Sequence, residues 1–332
     1  MPEPMLKTLD LVKSFAVRRG FFAQQKLRLM AVDRVSMHIN EGETLGLVGE
    51  SGCGKSTLGL TVMQLYQPTS GRVRFDGEDL VDMDRARLAQ VRLKMQMIYQ
   101  DPFASLDPRL TVEAILAEPM IIHKLGTREE RRSEARRLLD IVGLPPDALQ
   151  RFPNEFSGGQ QQRIGIARAL TLQPKLMICD EPVSSLDVSV QAQILNLLRD
   201  LQDEYHLTYL FISHNIAVTH FMSRRIGVMY LGRLVEIGPS ENIVNDPRHP
   251  YTQSLISAVP EPRPTKEKKV RLLSGDVPSP IDRPSGCPFH PRCPLASGRG
   301  MPDECSQVEP QLLASSRLRS LGPEHQVACH FA

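Results

Sequence analysis

The sequence predicts an α/β fold, a parallel β-sheet with helices packed on both faces. Three observations predict it. Short, wholly apolar stretches alternate with segments of helical period. A glycine-rich turn joins one such stretch to a helix, in the pattern G-x-x-x-x-G-K-[ST]. Another stretch, Lys175-Leu176-Met177-Ile178-Cys179-Asp180, ends abruptly in acid.

Residues 5–45 read as β-rich. An apolar stretch at residues 9–12 is followed by a polar, basic excursion from Arg18 to Arg28, expected to be a surface hairpin loop, and a new strand starts at Met30. Thr44 to Gly49 reads as a strand, with a helix from Ser56 onward. Arg72 to Gly77 alternates and ends in a turn pair, the pattern of an antiparallel strand. Residues 110–150 read as helices; Arg128 to Arg137 forms a solvated face, and Leu138, Leu139 and Ile141 turn inward before a stop at Gly143. After Asp187 a helix is expected with Val190, Ile194, Leu197, Leu198 and Leu201 on one face. Thr208 to Ile212 reads as a buried strand, and Ile226 to Leu231 with Leu234 to Ile237 as a strand pair turning at Gly232-Arg233.

Length and composition bound the function. A chain of 332 residues suggests two folded units at about 150 residues each. It is 41% hydrophobic and 23% charged, ordinary for a soluble globular protein, and its net charge of +2 excludes a highly basic nucleic-acid coat and an acidic disordered tail protein. No stretch reaches the roughly 18 consecutive apolar residues that span a bilayer. The opening Met1-Pro2-Glu3-Pro4 lacks a secretory pattern, so a cytoplasmic location with at most a peripheral membrane role is expected. From Pro260 on, the chain holds 12 of its 26 prolines and four of its six cysteines. That break divides a main domain, residues 1–259, from a small Cys/Pro-rich module, residues 260–332. In a reducing compartment such cysteines point to metal or redox chemistry more than to disulfides.

The glycine-rich segment is Gly49-Glu50-Ser51-Gly52-Cys53-Gly54-Lys55-Ser56-Thr57. Its glycines let successive backbone N–H groups converge on a phosphate, and the following helix adds its positive N-terminal end. Lys55 can reach β- and γ-phosphates, and the Ser56 hydroxyl can hold Mg²⁺. Cys53 reads as a small filler. Asp180 is the position for a metal-linked acid, and Glu181 that for a general base acting on water.

Phe156-Ser157-Gly158-Gly159-Gln160-Gln161-Gln162-Arg163 resembles the signature motif of ABC ATPases, and lies 23 residues before Asp180. Gln100 resembles the Q-loop glutamine, Ser185-Leu186-Asp187 the D-loop and His214 the switch histidine. The resemblance spans residues 5–255 and implies a P-loop NTPase cassette: a RecA-like core with an antiparallel β subdomain and a helical subdomain at about residues 101–170. It further implies ATP and Mg²⁺ as cofactors, with Ser56, Gln100 and Asp180 around the metal. Lys55, Gln100, Glu181 and His214 would serve hydrolysis. Ser157, Gly158, Gly159, Gln160 and Asp187 would serve the nucleotide of an opposing cassette. Phe15 is the candidate for stacking on adenine; the alternative is a core or hairpin phenylalanine.

Gln100-Asp101-Pro102-Phe103-Ala104-Ser105-Leu106-Asp107-Pro108-Arg109 resembles the Q-loop segment of importer ATPases for oligopeptides, dipeptides and nickel. His249-Pro250-Tyr251-Thr252 and Gly286-Cys287-Pro288-Phe289-His290-Pro291-Arg292-Cys293-Pro294 resemble the end of their cassette and their C-terminal extension. That branch implies a second, different ATPase subunit, two permeases, a periplasmic solute-binding protein and a place on the cytoplasmic face of the bacterial inner membrane. Phe103 and Leu106 would be exposed in the groove receiving a permease helix. The same machine importing nickel or another small solute is the near alternative. A soluble ABC protein acting on ribosomes or DNA is the distant one, against which the near-neutral charge argues. The cysteine spacings C-x5-C, C-x11-C and C-x23-C suit neither zinc pairs nor compact ferredoxin loops. By resemblance, Cys287, Cys293, Cys305 and Cys329 would hold a [4Fe–4S] cluster, with zinc and unligated thiols as alternatives and His290 and His330 as bystanders.

Overall fold

The computed structural model describes residues 3–18, 26–258, 273, 275–314 and 324–332. The chain divides into two compact units. One comprises Met1–Ile39, Thr44–Asp82 and Ser213–Ala332, the other Asn40–Glu43 and Met83–Ile212.

The first unit holds an antiparallel sheet in the order Lys26–Ile39, Leu6–Arg18, Ser70–Phe75, Glu78–Asp79. The two long strands stay paired out to Arg18 and Lys26. The second strand therefore starts four residues before Met30, and Arg18 and Lys26 to Arg28 of the polar excursion are strand; residues 19–25 lie outside the described residues. Cross-strand pairing continues through alternating half-buried side chains, which a polar composition does not betray. Register slips flank Asp10 and Arg34, both at positive φ, as at β-bulges. Asp76 and Gly77 both have positive φ, the geometry of a tight hairpin turn.

The same unit carries the strand Thr44–Val48, parallel to Arg225–Tyr230, which pairs antiparallel with Arg233–Pro239. The turn falls at Leu231-Gly232, one residue earlier than the sequence suggests, because Arg233 already pairs with Tyr230. Gln326–Val327 adds to Arg233–Pro239, and Leu313–Ala314 adds to Gln326–Val327. The apolar cluster beneath these strands includes Val48, Val228, Tyr230 and Tyr251 together with Cys287 and Phe289. C-terminal side chains thus complete a core that the earlier strands begin.

In the second unit Met95–Ile98, Leu176–Asp180 and Thr208–Ser213 run parallel. Every residue of the latter two is buried, which is why they read as unbroken apolar runs. Helices Val112–Ile122 and Arg128–Ile141 follow the first of them. The second begins with a reciprocal capping box between Thr127 and Glu130. Leu138 and Leu139 are buried as expected, but Ile141 is only half-buried, and Ala135 takes the inward place. Helix Val188–Tyr205 buries Ile194, Leu195, Leu198 and Leu201. Leu195 replaces Val190 and Leu197, which stay half-buried. The buried stripe runs i, i+1, i+4, i+7 and is centred one residue from the expected face.

Leu198 has no exposed surface, and its carbonyl accepts from the buried Tyr209 hydroxyl at 2.9 Å. Leu198→Ala should lower stability by about 2–5 kcal/mol. In urea this should move the midpoint and leave the slope unchanged; a loss below about 1 kcal/mol would show that the site collapses around the void.

Candidate nucleotide site

The phosphate loop leaves the buried strand Thr44–Val48 and enters helix Lys55–Val62. Two glycines in it have no room for a side chain. A Cβ at Gly54, where φ is +107°, would lie 2.0 Å from the Ala31 carbonyl oxygen; one at Gly49 would lie 2.2 Å from that of Met229. The Lys55 ammonium donates to the Gly49 and Glu50 carbonyls at 2.8 and 3.1 Å. It also lies 3.7 Å from the Cys53 sulfur. Burial pushes the Cys53 thiol pKa up, so it stays neutral beside the lysine. Ser56 and Thr57 occupy the first turn of the helix.

Phe15 is half-buried on strand Leu6–Arg18 and packs edge-on against Tyr66 at 5.3 Å, with the Lys13 ammonium 4.9 Å from its ring centre. Tyr66, which the sequence did not single out, is 39% exposed, more than the half-buried Phe15. His214 is exposed directly after strand Thr208–Ser213.

In the second unit Asp180 ends the strand Leu176–Asp180 and is 7% exposed. Glu181 follows at φ +48°, a left-handed conformation that costs a non-glycine residue about 1–3 kcal/mol. Its N–H donates to the Ile212 carbonyl at 2.9 Å, which holds the turn. The Gln100 amide donates to the Glu181 carboxylate at 3.1 Å. The structure therefore joins the glutamine after one strand with the acid after its neighbour.

Ser157 caps helix Gly158–Leu170. Its hydroxyl accepts from the Gln160 N–H, and the Gln160 side chain accepts from the Ser157 N–H at 3.0 Å. This reciprocal box engages the N–H groups of Ser157 and Gln160, while those of Gly158 and Gly159 precede the first intrahelical bonds. Gly158 and Gly159 form that first turn, and a Cβ on Gly159 would meet Val190 at 2.4 Å. Asp187 caps helix Val188–Tyr205 by its backbone alone. Phe103 is 63% exposed, whereas Leu106 is buried, correcting its expected exposure. Asp101 caps the short turn Pro102–Ser105, which carries Phe103 and ends at Leu106.

The cysteines converge. Cys287, Cys293, Cys305 and Cys329 line one cavity of about 10 Å³, the space of a single water, together with His249, Phe289 and His330. Burial, reinforced by the other three thiols, pushes the Cys287 thiol up to about 12. Among the described residues no group of three or more His, Cys, Asp or Glu side chains is arranged to hold a metal ion. His290 and His330 bond backbone carbonyls, those of Cys287 and Val308.

Between Cys287 and Cys293 lies a residue that sequence reasoning passed over. Arg292 forms a two-pronged ion pair with the Glu50 carboxylate of the phosphate loop, at 2.8 and 3.0 Å. Its place between two cysteines was visible; its partner was not.

A phosphate loop, an acid pair at a strand end and a capped Ser-Gly-Gly helix define a nucleotide-binding cassette. The ABC transporter family model matches residues 32–184, and the model for the oligopeptide/dipeptide transporter C-terminal region matches residues 235–299. The chain is 47% identical to the oligopeptide transport ATP-binding protein AppF of Bacillus subtilis, over 99% of this chain and 97% of that protein. It is 48% identical to OppF of Salmonella typhimurium, over 98% and 95%. The dimeric ATP-binding cassette MJ0796 bound to ADP and Pi superposes with a TM-score of 0.63 at 31% identity, covering 71% of this chain and 99% of that one. The chain belongs to the family of ABC transporter ATP-binding proteins, and it is an ATPase of that family. Among the described residues no helix is long and apolar enough to cross a membrane.

Gly159→Ala should overpack the contact between the capped helix and Val190, whose branched side chain has little rotameric freedom. The expected loss is about 1–3 kcal/mol. Adding Val190→Ala should recover most of it in thermal melts. A double variant no better than Gly159→Ala would place the strain in the backbone instead.

Proposed function

We propose that the chain is the ATP-hydrolysing subunit of an importer for di- and oligopeptides. The contact that carries the hydrolytic reading is the Gln100–Glu181 hydrogen bond, which gives a base a neighbour able to orient it. The peptide reading is supported by the C-terminal family match and by full-length likeness to oligopeptide transport ATP-binding proteins. In this reading the cassette is residues 1–259 with its helical subdomain at about 101–170, and residues 260–332 form a C-terminal extension.

The residues then divide the work. The N–H groups of residues 51–57 hold the phosphates, and Lys55 leaves the Gly49 and Glu50 carbonyls to meet their charge. Ser56, Gln100 and Asp180 are hard oxygen donors of the kind magnesium takes. Magnesium held by them would supply charge neutralisation to the phosphates. Glu181 orients and deprotonates the attacking water, His214 contacts the γ-phosphate, and Phe15 supports the adenine. Ser157, Gly158, Gly159 and Gln160 aim a helix N-terminus at the nucleotide of a second cassette, and Asp187 borders it. A preorganised dipole there stabilises the transferring phosphoryl group. The further partners are a second, different ATPase, two permeases and, through them, a periplasmic solute-binding protein, with the chain on the cytoplasmic face of the inner membrane and no nucleic acid involved.

Glu181→Gln should lower kcat for ATP by about 10²–10⁴-fold, with the ATP Kd within threefold of the parent. The assay uses the chain assembled with its permeases and partner ATPase, with and without peptide-loaded binding protein. Stimulation by loaded receptor that vanishes in Glu181→Gln supports coupled peptide import. Stimulation by nickel alone would replace the substrate, and stimulation by ribosomes or DNA alone would end the transporter reading.

Cys287, Cys293, Cys305 and Cys329 are further proposed to hold a [4Fe–4S] cluster. Four thiols around one cavity are the right donor set and number for it. The cavity closes on a water-sized space, so seating the group requires the thiols to part. When bound it staples a proline-rich segment with little core of its own. Anaerobically purified protein should carry iron and acid-labile sulfide, and Cys305→Ser should lose both and melt at lower temperature. Parent protein without iron, or with zinc, would refute the assignment.

A further inference from the structure

We infer that Arg292 is a positioning residue for the phosphate loop: through Glu50, it fixes the loop in its nucleotide-binding form. This rests on the proposed nucleotide site, and goes beyond it by tying that site to the turn between Cys287 and Cys293.

Glu50, the second residue of the loop, is not among the phosphate-binding residues, yet each of its polar groups is engaged. Its N–H donates to the Tyr251 hydroxyl at 2.8 Å. Its carbonyl accepts from Lys55 at 3.1 Å, and its carboxylate takes both prongs of Arg292. Paired guanidinium–carboxylate bonds fix orientation as well as distance. The loop contains Gly49, Gly52 and Gly54, so its backbone has more freedom to lose on ordering than an ordinary turn. A fixed Glu50 removes part of that loss before any nucleotide arrives.

The other end of the pair is anchored. Arg292 is 7% exposed, and its guanidinium lies 3.5 Å from the Tyr230 hydroxyl. Its N–H donates to the Phe289 carbonyl at 3.0 Å, and the Cys293 N–H to that of His290 at 3.2 Å. Phe289 has no exposed surface and packs against Tyr230, Tyr251 and His249 with ring centres 5.2–5.6 Å apart. The arginine therefore projects from a rigid turn.

Charge adds a second effect. A carboxylate beside a triphosphate site repels its ligand unless neutralised. Arg292 supplies the neutralising charge. Removing it should loosen the loop and unmask the Glu50 charge together, so substitutions at Arg292 and Glu50 cannot act independently. Removing the carboxylate as well should restore part of the affinity, which a purely structural arginine would not allow.

The test measures the ATP Kd by calorimetry, and kcat, KM and Tm, on the full chain with its partner subunits. The variants are Arg292→Met, Arg292→Lys, Glu50→Gln and the Glu50→Gln/Arg292→Met pair. Arg292→Met should raise Kd and KM about tenfold with kcat within about twofold, and the pair should bind ATP tighter than Arg292→Met alone. Arg292→Lys keeps the charge without the paired geometry. It should fall between parent and Arg292→Met, and it serves as the reading if Arg292→Met does not fold. Unchanged Kd in the folded variants, or single effects that simply add, would overturn the inference while leaving the nucleotide site intact. Failure of the parent to bind ATP, or binding indifferent to Lys55→Ala, would overturn the site and the inference with it.

Discussion

The first unit depends on one steric constraint, the wedging of the phosphate loop between two backbones. Gly54 lies where a Cβ would strike the Ala31 carbonyl, and Gly49 where it would strike that of Met229. The Gly232 N–H donates to the Cys53 carbonyl at 2.7 Å, so the hairpin that follows Met229 also closes on the loop. With its outer side held in this way, the loop keeps its remaining N–H groups for an anion. The strands Lys26–Ile39 and Arg225–Tyr230 thus act as walls of a phosphate cradle as well as sheet members. Substituting either glycine sets a Cβ against a backbone carbonyl, which no rotamer change relieves.

Burying a lysine in that cradle creates its own demand. Lys55 is 4% exposed, and an unpaired buried ammonium would carry a large desolvation cost. The Gly49 and Glu50 carbonyls meet it. The carbonyl dipoles hold the charge without neutralising it, so a phosphate can still compete for it. Glu50 sits at the junction: its carbonyl faces the lysine while its carboxylate faces away to Arg292. One residue separates the charge meant for the ligand from the charge that braces the scaffold.

Much of this was legible in the sequence, and the reason is local. The loop, the strand ending at Asp180 and the Ser157 cap each declare themselves within ten residues, the loop by its glycine spacing, the strand by an unbroken apolar run ending in acid, and the cap by a Ser and Gln three residues apart. Helix faces were read nearly right. The slip from Leu197 to Leu195 came from centring the buried stripe of Val188–Tyr205 one residue off, an error periodicity alone invites. The extent of the first hairpin was misjudged, because basic residues on a paired strand look like loop. The Glu50–Arg292 pair spans 242 residues and was not legible, since neither residue alters the composition around it. Leu106 was misread because a family resemblance locates a segment without saying which of its side chains faces inward.

The C-terminal segment reaches the cradle by a second route, through a buried acid. Glu236 has no exposed surface, and its carboxylate accepts from the Arg248 and His249 N–H groups at 2.7 and 3.0 Å and contacts His325 at 2.7 Å. Three segments meet there: the strand Arg233–Pro239, the start of helix Pro250–Ser257 and the approach to Gln326–Val327, which leads to Cys329. Burial pushes the pKa of His249 down to about 4, so at neutral pH its ring is uncharged. Its Nδ1 therefore remains an acceptor for the Tyr251 N–H at 3.1 Å. Tyr251 in turn presents the hydroxyl that receives the Glu50 N–H. Glu236, His249, Tyr251 and Glu50 form a continuous chain of hydrogen bonds independent of Arg292. The loop is therefore braced twice by the later part of the chain, once through the charged Arg292 pair and once through the neutral Tyr251 hydroxyl. Losing the Arg292 pair leaves the Tyr251 bond in place, so the loop should remain folded and lose orientation first.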